Sequence, residues 1–353
     1  EFAVYDAWFC AVPSQTFCNR SFFHASTSSG FVVNTGTPDY RKWPEANTGA
    51  TIFNRLHDRK IPWAVYFDES QFVSMTGVIH WSVLKQFWRT NFRTMKQFWA
   101  DAAAGTLPAY SFIEPRLFFD NNDMHPPVAS GMVTVEGEKV AIGGFSDVRA
   151  GEKLLHDVYT AIRGSATPTG SNAMNTMLLV TFDEHGGNYD HVPPPPATPP
   201  EGLVNHEMGF QFDRLGVRVP AIAISAYTRA GTVIHDEMHH AAVIATLCEK
   251  YGLDPLTARD RGARTIANAV NLGEPRPVTD WPQTTPQYVP PNPNAHSPFS
   301  VATVSAPLSS PAEATLGILA QHFNRPAPTT VGEARNLLQA VGGDLFGPES
   351  PLT

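Results

Sequence analysis

Apolar residues between positions 81 and 104 recur at spacings of three and four: Leu84, Phe87, Trp88, Phe92, Met95, Phe98 and Trp99. That period places them on one face of a single helix, and Gly105 stands ready to stop it. Core packing accounts for such a stripe without any cofactor. A second helix is predicted over 146–163, with Val148, Leu154, Leu155, Val158 and Ile162 on one side and Ser146 or Asp147 as its cap. A third runs over 236–252, from Asp236 to a stop at Gly252. Strand patterns separate these helices. Residues 61–69, IPWAVYFDE, read as a strand, and 109–118, AYSFIEPRLF, as a strand running into a loop. Residues 175–182 (NTMLLVTF) and 218–227 (RVPAIAISAY) are apolar without alternation, as in a parallel sheet covered on both faces. Strands alternating with helices predict an α/β fold.

Composition narrows the classes. At 353 residues the chain can bury a large core, as one big domain or two smaller ones. Hydrophobic content of 42 % against 16 % charged residues excludes a disordered chain. A net charge of −8 and the lack of a basic run argue against a nucleic-acid partner. No stretch approaches the roughly 20 apolar residues of a transmembrane segment. The opening EFAVYDAWF reads as the interior of a domain and shows no signal-peptide pattern. Cys10, Cys18 and Cys248 make no disulfide framework. Buried free thiols are the commoner outcome, although Cys10 and Cys18 could pair. Beyond about 275 the chain is rich in Pro, Asn and Ser, with helices expected over 311–322 and 331–341.

Candidate chemistry concentrates in four places. Asp183 and Glu184 directly follow the strand at 175–182, at the end of a strand where open α/β sheets bind ligands. Adjacent carboxylates need a compensating cation or donor, and a hard divalent metal suits them. Gly186 and Gly187 allow a sharp turn there, with His185, Asp190 and His191 close by. In SQTFCNRSFFHA, Thr16 is a candidate nucleophile, Asn19 a neutral donor and Arg20 an anion clamp. In NNDMHPP, Asp123 precedes His125, a candidate general acid. HDEMHH carries His235, His239 and His240 without the spacing of a metal motif, and histidines at the front of a helix more often cap it or line a cleft. His156, on the helix predicted over 146–163, is expected to be a surface or packed residue.

Together these segments resemble the phosphoesterase family that contains bacterial phospholipases C, plant non-specific phospholipases C and a group of acid phosphatases, within the alkaline phosphatase-like superfamily. TFDEHGGNYDHVPPP is similar to its DEHGG and DHV block, and TFCNRSFFHASTSSG to its T-x-P-N-R-x-x-x-H-x-x-T-S-x-G block. YSFIEPRLFFDNNDMHPP matches the FIEP and D-x-HPP block, and GVRVPAIAISAYTRAGTVIHDEMHHAAVIATL the late strand-and-helix block. The resemblance runs in order over about residues 3 to 255. It implies a three-layer α/β/α sandwich with a mostly parallel central sheet. A catalytic domain would span 1–275, lacking its first strand block, with a Pro-rich, helical extension over 276–353 packed on it.

The resemblance also implies roles. Thr16 would be the nucleophile and a ligand of one divalent metal ion, with Asp183 and Glu184 as its other ligands. His125, His185 and His191 would line the phosphate pocket and assist the leaving group. Asn19, Arg20, Asp123 and His240 would bind substrate, a phosphate ester or phospholipid. Export to the periplasm or medium is implied likewise. Cys18 stands where the family usually has proline. The family opens with an E-N-R-S-F-D-H block whose Glu and Asn complete the metal site; this sequence starts downstream of where that block would stand, and the favoured expectation is a piece of a longer enzyme. The competing expectation is a catalytically inactive relative acting as a binding or structural protein. A sulfatase is a distant third, because no Cys or Ser sits in the modification motif such enzymes need.

Overall fold

The computed structural model describes residues 1–34, 42–71, 73–118, 121–125, 131–135, 138–142, 148–203, 205–286, 304–305, 307–308 and 310–346. Its strands are β1 (Ala3–Tyr5), β2 (Trp8–Phe9), β3 (Trp63–Phe67), β4 (Phe92–Thr94), β5 (Tyr110–Ile113), β6 (Gly131–Val135), β7 (Glu138–Ile142), β8 (Leu178–Thr181), β9 (Ala221–Ile224), β10 (Thr232–Ile234) and β11 (Met238–His239). Among them run helices α1 (Thr16–Ala25), α2 (Ile52–Asp58), α3 (Met75–Ile79), α4 (Trp81–Leu84), α5 (Met95–Ala104), α6 (Val148–Gly164) and α7 (Ala241–Tyr251). The fold is mixed α/β, as its pattern predicts.

Two sheets carry the site. The order β4-β3-β5 is parallel throughout. All of β3 is buried, the continuous apolar run of a strand covered on both faces. The order β10-β1-β9-β8 is mixed: β1 is parallel to β10 but antiparallel to β9, and β9 is antiparallel to β8. The parallel pairing expected of 175–182 and 218–227 is therefore corrected. In β9 the small Ala221 and Ala223 face inward while Ile222 is exposed, so an apolar run disguises the half-solvated alternation of an antiparallel strand.

The stripe at 81–104 is not one helix either. It divides into α4, a 3-10 turn at Lys85–Phe87, β4 and α5. The break is held by Asn91, whose carbonyl accepts from Val65 N–H and whose carboxamide donates to the Trp63 carbonyl. Thr94 and Gln97 then form a reciprocal cap that starts α5 afresh. Similarly α7 begins at Ala241, because Met238 and His239 pair with β2 first. Gly252 ends it in the left-handed region, as expected. The caps proposed for α6, Ser146 and Asp147, lie outside the described residues, and His156 on that helix meets the Thr284 hydroxyl at 2.6 Å.

One hydrophobic cluster joins Trp8, Phe17 and Trp63 to Leu316 and Leu338 of the late helices Ser310–His322 and Val331–Phe346. All three cysteines are free and buried. Cys10 donates to the Val217 carbonyl and Cys18 to that of Phe31, and burial pushes both thiols up to about 12. No helix among the described residues is long and apolar enough to cross a membrane.

Candidate active site

Thr16 opens α1 and is buried; Arg20 follows one turn later on the same face. The Arg20 guanidinium sits where two sheets converge. Its Nη1 donates to Glu114 Oε1 at 3.1 Å, and its Nε lies 3.6 Å from Asp183 Oδ2. Glu114 directly follows β5, and Asp183 comes two residues after β8, so the carboxyl ends of both strands meet at one cation. Glu114 also accepts from the Thr76 N–H at 2.8 Å, which fixes it.

Beside this pair, Asp123 Oδ2 lies 2.6 Å from His125 Nδ1. That hydrogen bond, opposed by burial and aided by the charges of Asp123, Asp183 and Glu184, pushes the imidazole up to about 9. That shift favours the protonated imidazole at neutral pH. Burial and the neighbouring charge of Asp183 raise the pKa of Glu184, whose Oε2 accepts from Gly186 N–H at 2.8 Å. Gly186 and Gly187 both hold positive φ, at 62° and 77°, which lets the loop turn back over the carboxylates. Asp123, His125 and Asp183 line two cavities at once: a largely apolar one of about 1000 Å³ and a second of about 640 Å³, which Glu184 and His185 also line.

Other candidates stand elsewhere. The Asn19 carboxamide is fully buried and spent on the backbone of Val12, Ser14 and Gln15, so it shapes the turn that leads into Thr16. His240 is also turned inward. Trp8 Nε1 can only donate, so His240 Nδ1 accepts at 3.2 Å, and its Nε2–H donates to the Asp183 carbonyl at 2.7 Å. Burial lowers its pKa to about 4, and it remains a neutral brace for the backbone of Asp183. His191 is 83 % exposed beside Asp190, and neither it nor the buried Thr16 lines either cavity. Asp190 itself is gripped by Arg218 through Nε at 2.7 Å and Nη2 at 2.9 Å. His235 is exposed against Asp6, and burial pushes His239 down to about 3.

For a divalent ion, Asp183, Glu184 and the Thr16 hydroxyl are oxygen donors of the right kind. The raised pKa of Glu184 marks a carboxylate short of positive charge, which a cation would relieve. In number the set is incomplete: among the described residues no group of three His, Cys, Asp or Glu is placed to hold a metal.

The Phosphoesterase family model matches residues 1–142 and 143–254. The chain belongs to this family. Non-specific phospholipase C6 of Arabidopsis thaliana is 32 % identical over 360 residues, covering 96 % of this chain and 62 % of that protein. Non-specific phospholipase C3 of the same plant is 34 % identical, over 81 % of this chain and 52 % of its own length. Phospholipase C B of Mycobacterium tuberculosis (strain ATCC 25618 / H37Rv) is 24 % identical, over 82 % of this chain and 58 % of its own. The chain thus spans between half and two thirds of the length of these relatives.

Three side chains that organise the site were not singled out from the sequence: Glu114, Arg218 and Trp8. Glu114 and Arg218 lie inside the blocks that carry the family resemblance, in FIEP and GVRVPA, where a charge amid apolar residues is the available signal. Trp8 offers none, since its part depends on where His240 arrives.

Proposed function

We propose that this phosphoesterase-family chain carries the catalytic part of a phospholipase C-like hydrolase of phosphoric esters, built on an α/β/α frame and acting outside the cytosol. The observation that carries the reading is His125, hydrogen-bonded to Asp123 at 2.6 Å and lining the same cavity as Asp183. A protonated imidazole there can bind a phosphate oxygen and protonate the leaving alcohol. Thr16 Oγ is the proposed nucleophile: its O–H bond breaks with the proton passing to solvent water, a bond forms to phosphorus, the bond to the alcohol oxygen breaks, and that oxygen takes the proton of His125. Water then cleaves the phosphothreonine. Asp183, Glu184 and Thr16 would hold a divalent ion, which when bound supplies neutralisation of phosphate charge. The largely apolar 1000 Å³ cavity beside the polar residues, and the names of the relatives, favour a lipid ester.

The test is hydrolysis of p-nitrophenyl phosphate beside p-nitrophenylphosphocholine by the complete protein, with and without chelator, for the parent, Thr16→Ala and Asp183→Asn. Chelator-sensitive turnover, lost in both variants and faster on the diester, is expected. A folded parent that turns over neither ester supports instead the catalytically inactive relative.

A further inference from the structure

The helix that carries Thr16 begins without a cap of its own. Gln15 stands at the cap position of α1, and its side chain accepts no hydrogen bond from the first turn. The first N–H groups of a helix have no partner within it, and a Ser, Thr, Asp or Asn at the cap is the usual supplier. Here the acceptor comes from another segment. Asn34 Oδ1 accepts from the Phe17 N–H at 2.9 Å, and the Asn34 N–H donates to Gln15 Oε1 at 3.0 Å. This is the reciprocal exchange of a capping box, made between two separate stretches of chain.

Asn34 is itself fixed. Its carbonyl accepts from Trp43 Nε1 at 2.6 Å, and Trp43 is fully buried with its ring 5.6 Å from that of Phe17 and 5.5 Å from that of Phe31. The residues before Asn34 close on the same turn: the Val32 carbonyl accepts from the Ser14 hydroxyl, and that of Phe31 from the Cys18 thiol at 3.1 Å. Segment 31–34 therefore grips Ser14, Gln15, Phe17 and Cys18, the two residues on either side of Thr16.

One carboxylate holds that segment. Glu207 Oε2 accepts from the N–H groups of Val32 and Val33 at 2.6 and 3.0 Å, and its Oε1 accepts from Lys42 Nζ at 2.8 Å. Hydrogen bonds to an ionised group are the stronger kind. The Glu207 N–H also donates to the Gly30 carbonyl at 3.0 Å. Gly30 has a φ of 89°, and a Cβ there would overlap the Asn205 carbonyl, so the backbone before Glu207 lies directly on it.

We propose that Asn34 and Glu207 are positioning residues for Thr16: Asn34 caps the helix of the nucleophile from outside, and Glu207 locks the segment that delivers the cap. The inference rests on Thr16 as the nucleophile, as proposed above. Thr16 is buried at the first position of α1, so its hydroxyl stands where the first turn holds it. A misplacement of about 1 Å costs about 100-fold in rate. Neither Asn34 nor Glu207 lines either cavity, so their loss acts on turnover and not on substrate binding.

The test is hydrolysis of p-nitrophenylphosphocholine by the complete protein, with melts and amide exchange on each variant. Asn34→Ala should lower kcat by about tenfold or more with KM within about twofold. It should also speed exchange of the Phe17 amide by about tenfold or more. Glu207→Ala, further from α1, should do the same, and it carries the test if Asn34→Ala does not fold. Asn34→Asp keeps an acceptor for the Phe17 N–H and should bring kcat back to within about threefold of the parent. In an active parent, a folded Asn34→Ala or Glu207→Ala with parental kcat would overturn the proposal, whatever its Tm. So would an Asn34→Asp as slow as Asn34→Ala, or a Phe17 amide whose exchange Asn34→Ala leaves unchanged. A folded parent that turns over neither p-nitrophenyl ester would instead remove Thr16 as nucleophile, and this proposal with it.

Discussion

The pair Asp123–His125 yields the most exacting prediction. Replacing Asp123 by Asn keeps the shape and removes the charge. In the parent, the Asp123 hydrogen bond first, and the charges of Asp123, Asp183 and Glu184 after it, hold His125 up to about 9 against the opposing effect of burial. An unfolded chain has an ordinary histidine near 6.5. The folded value is the higher one, so the stabilisation is complete below about pH 6.5 and is lost as the pH rises through about 9. A shift of that size corresponds to about 3 kcal/mol, but the imidazole is 39 % exposed, and solvent screening reduces the effect to about 1–2 kcal/mol. For a chain of 353 residues that is a fall in Tm of about 1–3 °C at pH 6, shrinking towards zero at pH 10. The assay is a proton–carbon NMR titration of the histidine rings, with His125 assigned by its loss in His125→Gln, alongside melts at the two pH values. Titration of parent His125 near 6.5 would refute the reasoning, as would an unchanged value near 9 in Asp123→Asn.

Two further predictions concern the braces of the site. Arg218 holds the Asp190 carboxyl down to about 2, so its contribution is present above about pH 4 and is lost as the pH falls through about 2. Asp190→Asn should cost about 1–2 kcal/mol at neutral pH, with the gap to the parent closing in melts below pH 4; equal Tm values at pH 7 would dismiss the clamp. Trp8→Phe leaves the buried Nδ1 of His240 without its donor, at a cost of about 1–3 kcal/mol. Nitrogen NMR should then show His240 losing its single tautomer, with the proton confined to Nε2 only in the parent.

Much of the site's chemistry was legible locally. An acidic pair at the end of a buried strand, followed by two glycines, is a pattern whose physical meaning needs no partner, and the structure keeps Asp183 and Glu184 at the cavities with the glycines turned as expected. Asp123 and His125 are two residues apart, and their contact is as local as their sequence. Asn19 and His240 share the polarity of site residues but are consumed by hydrogen bonds inside the protein, one with the backbone beside it and one with a tryptophan 232 positions away. Residue type alone does not separate those uses.

The chain's own pattern determined the α/β class, the strands at 63–67 and 110–113, the end of α7 at Gly252 and the acidic pair after β8. These rest on side-chain period and on backbone freedom, which neighbours a few residues apart decide. Only the tertiary structure decided that the stripe at 81–104 breaks to give β3 a parallel neighbour, that β8 and β9 run antiparallel, and that Glu114 and Asp183 close on Arg20. It alone turned His191 outward and His240 inward. Each of these depends on which distant backbone or charge is available as a partner, and hydrophobic period carries no record of that.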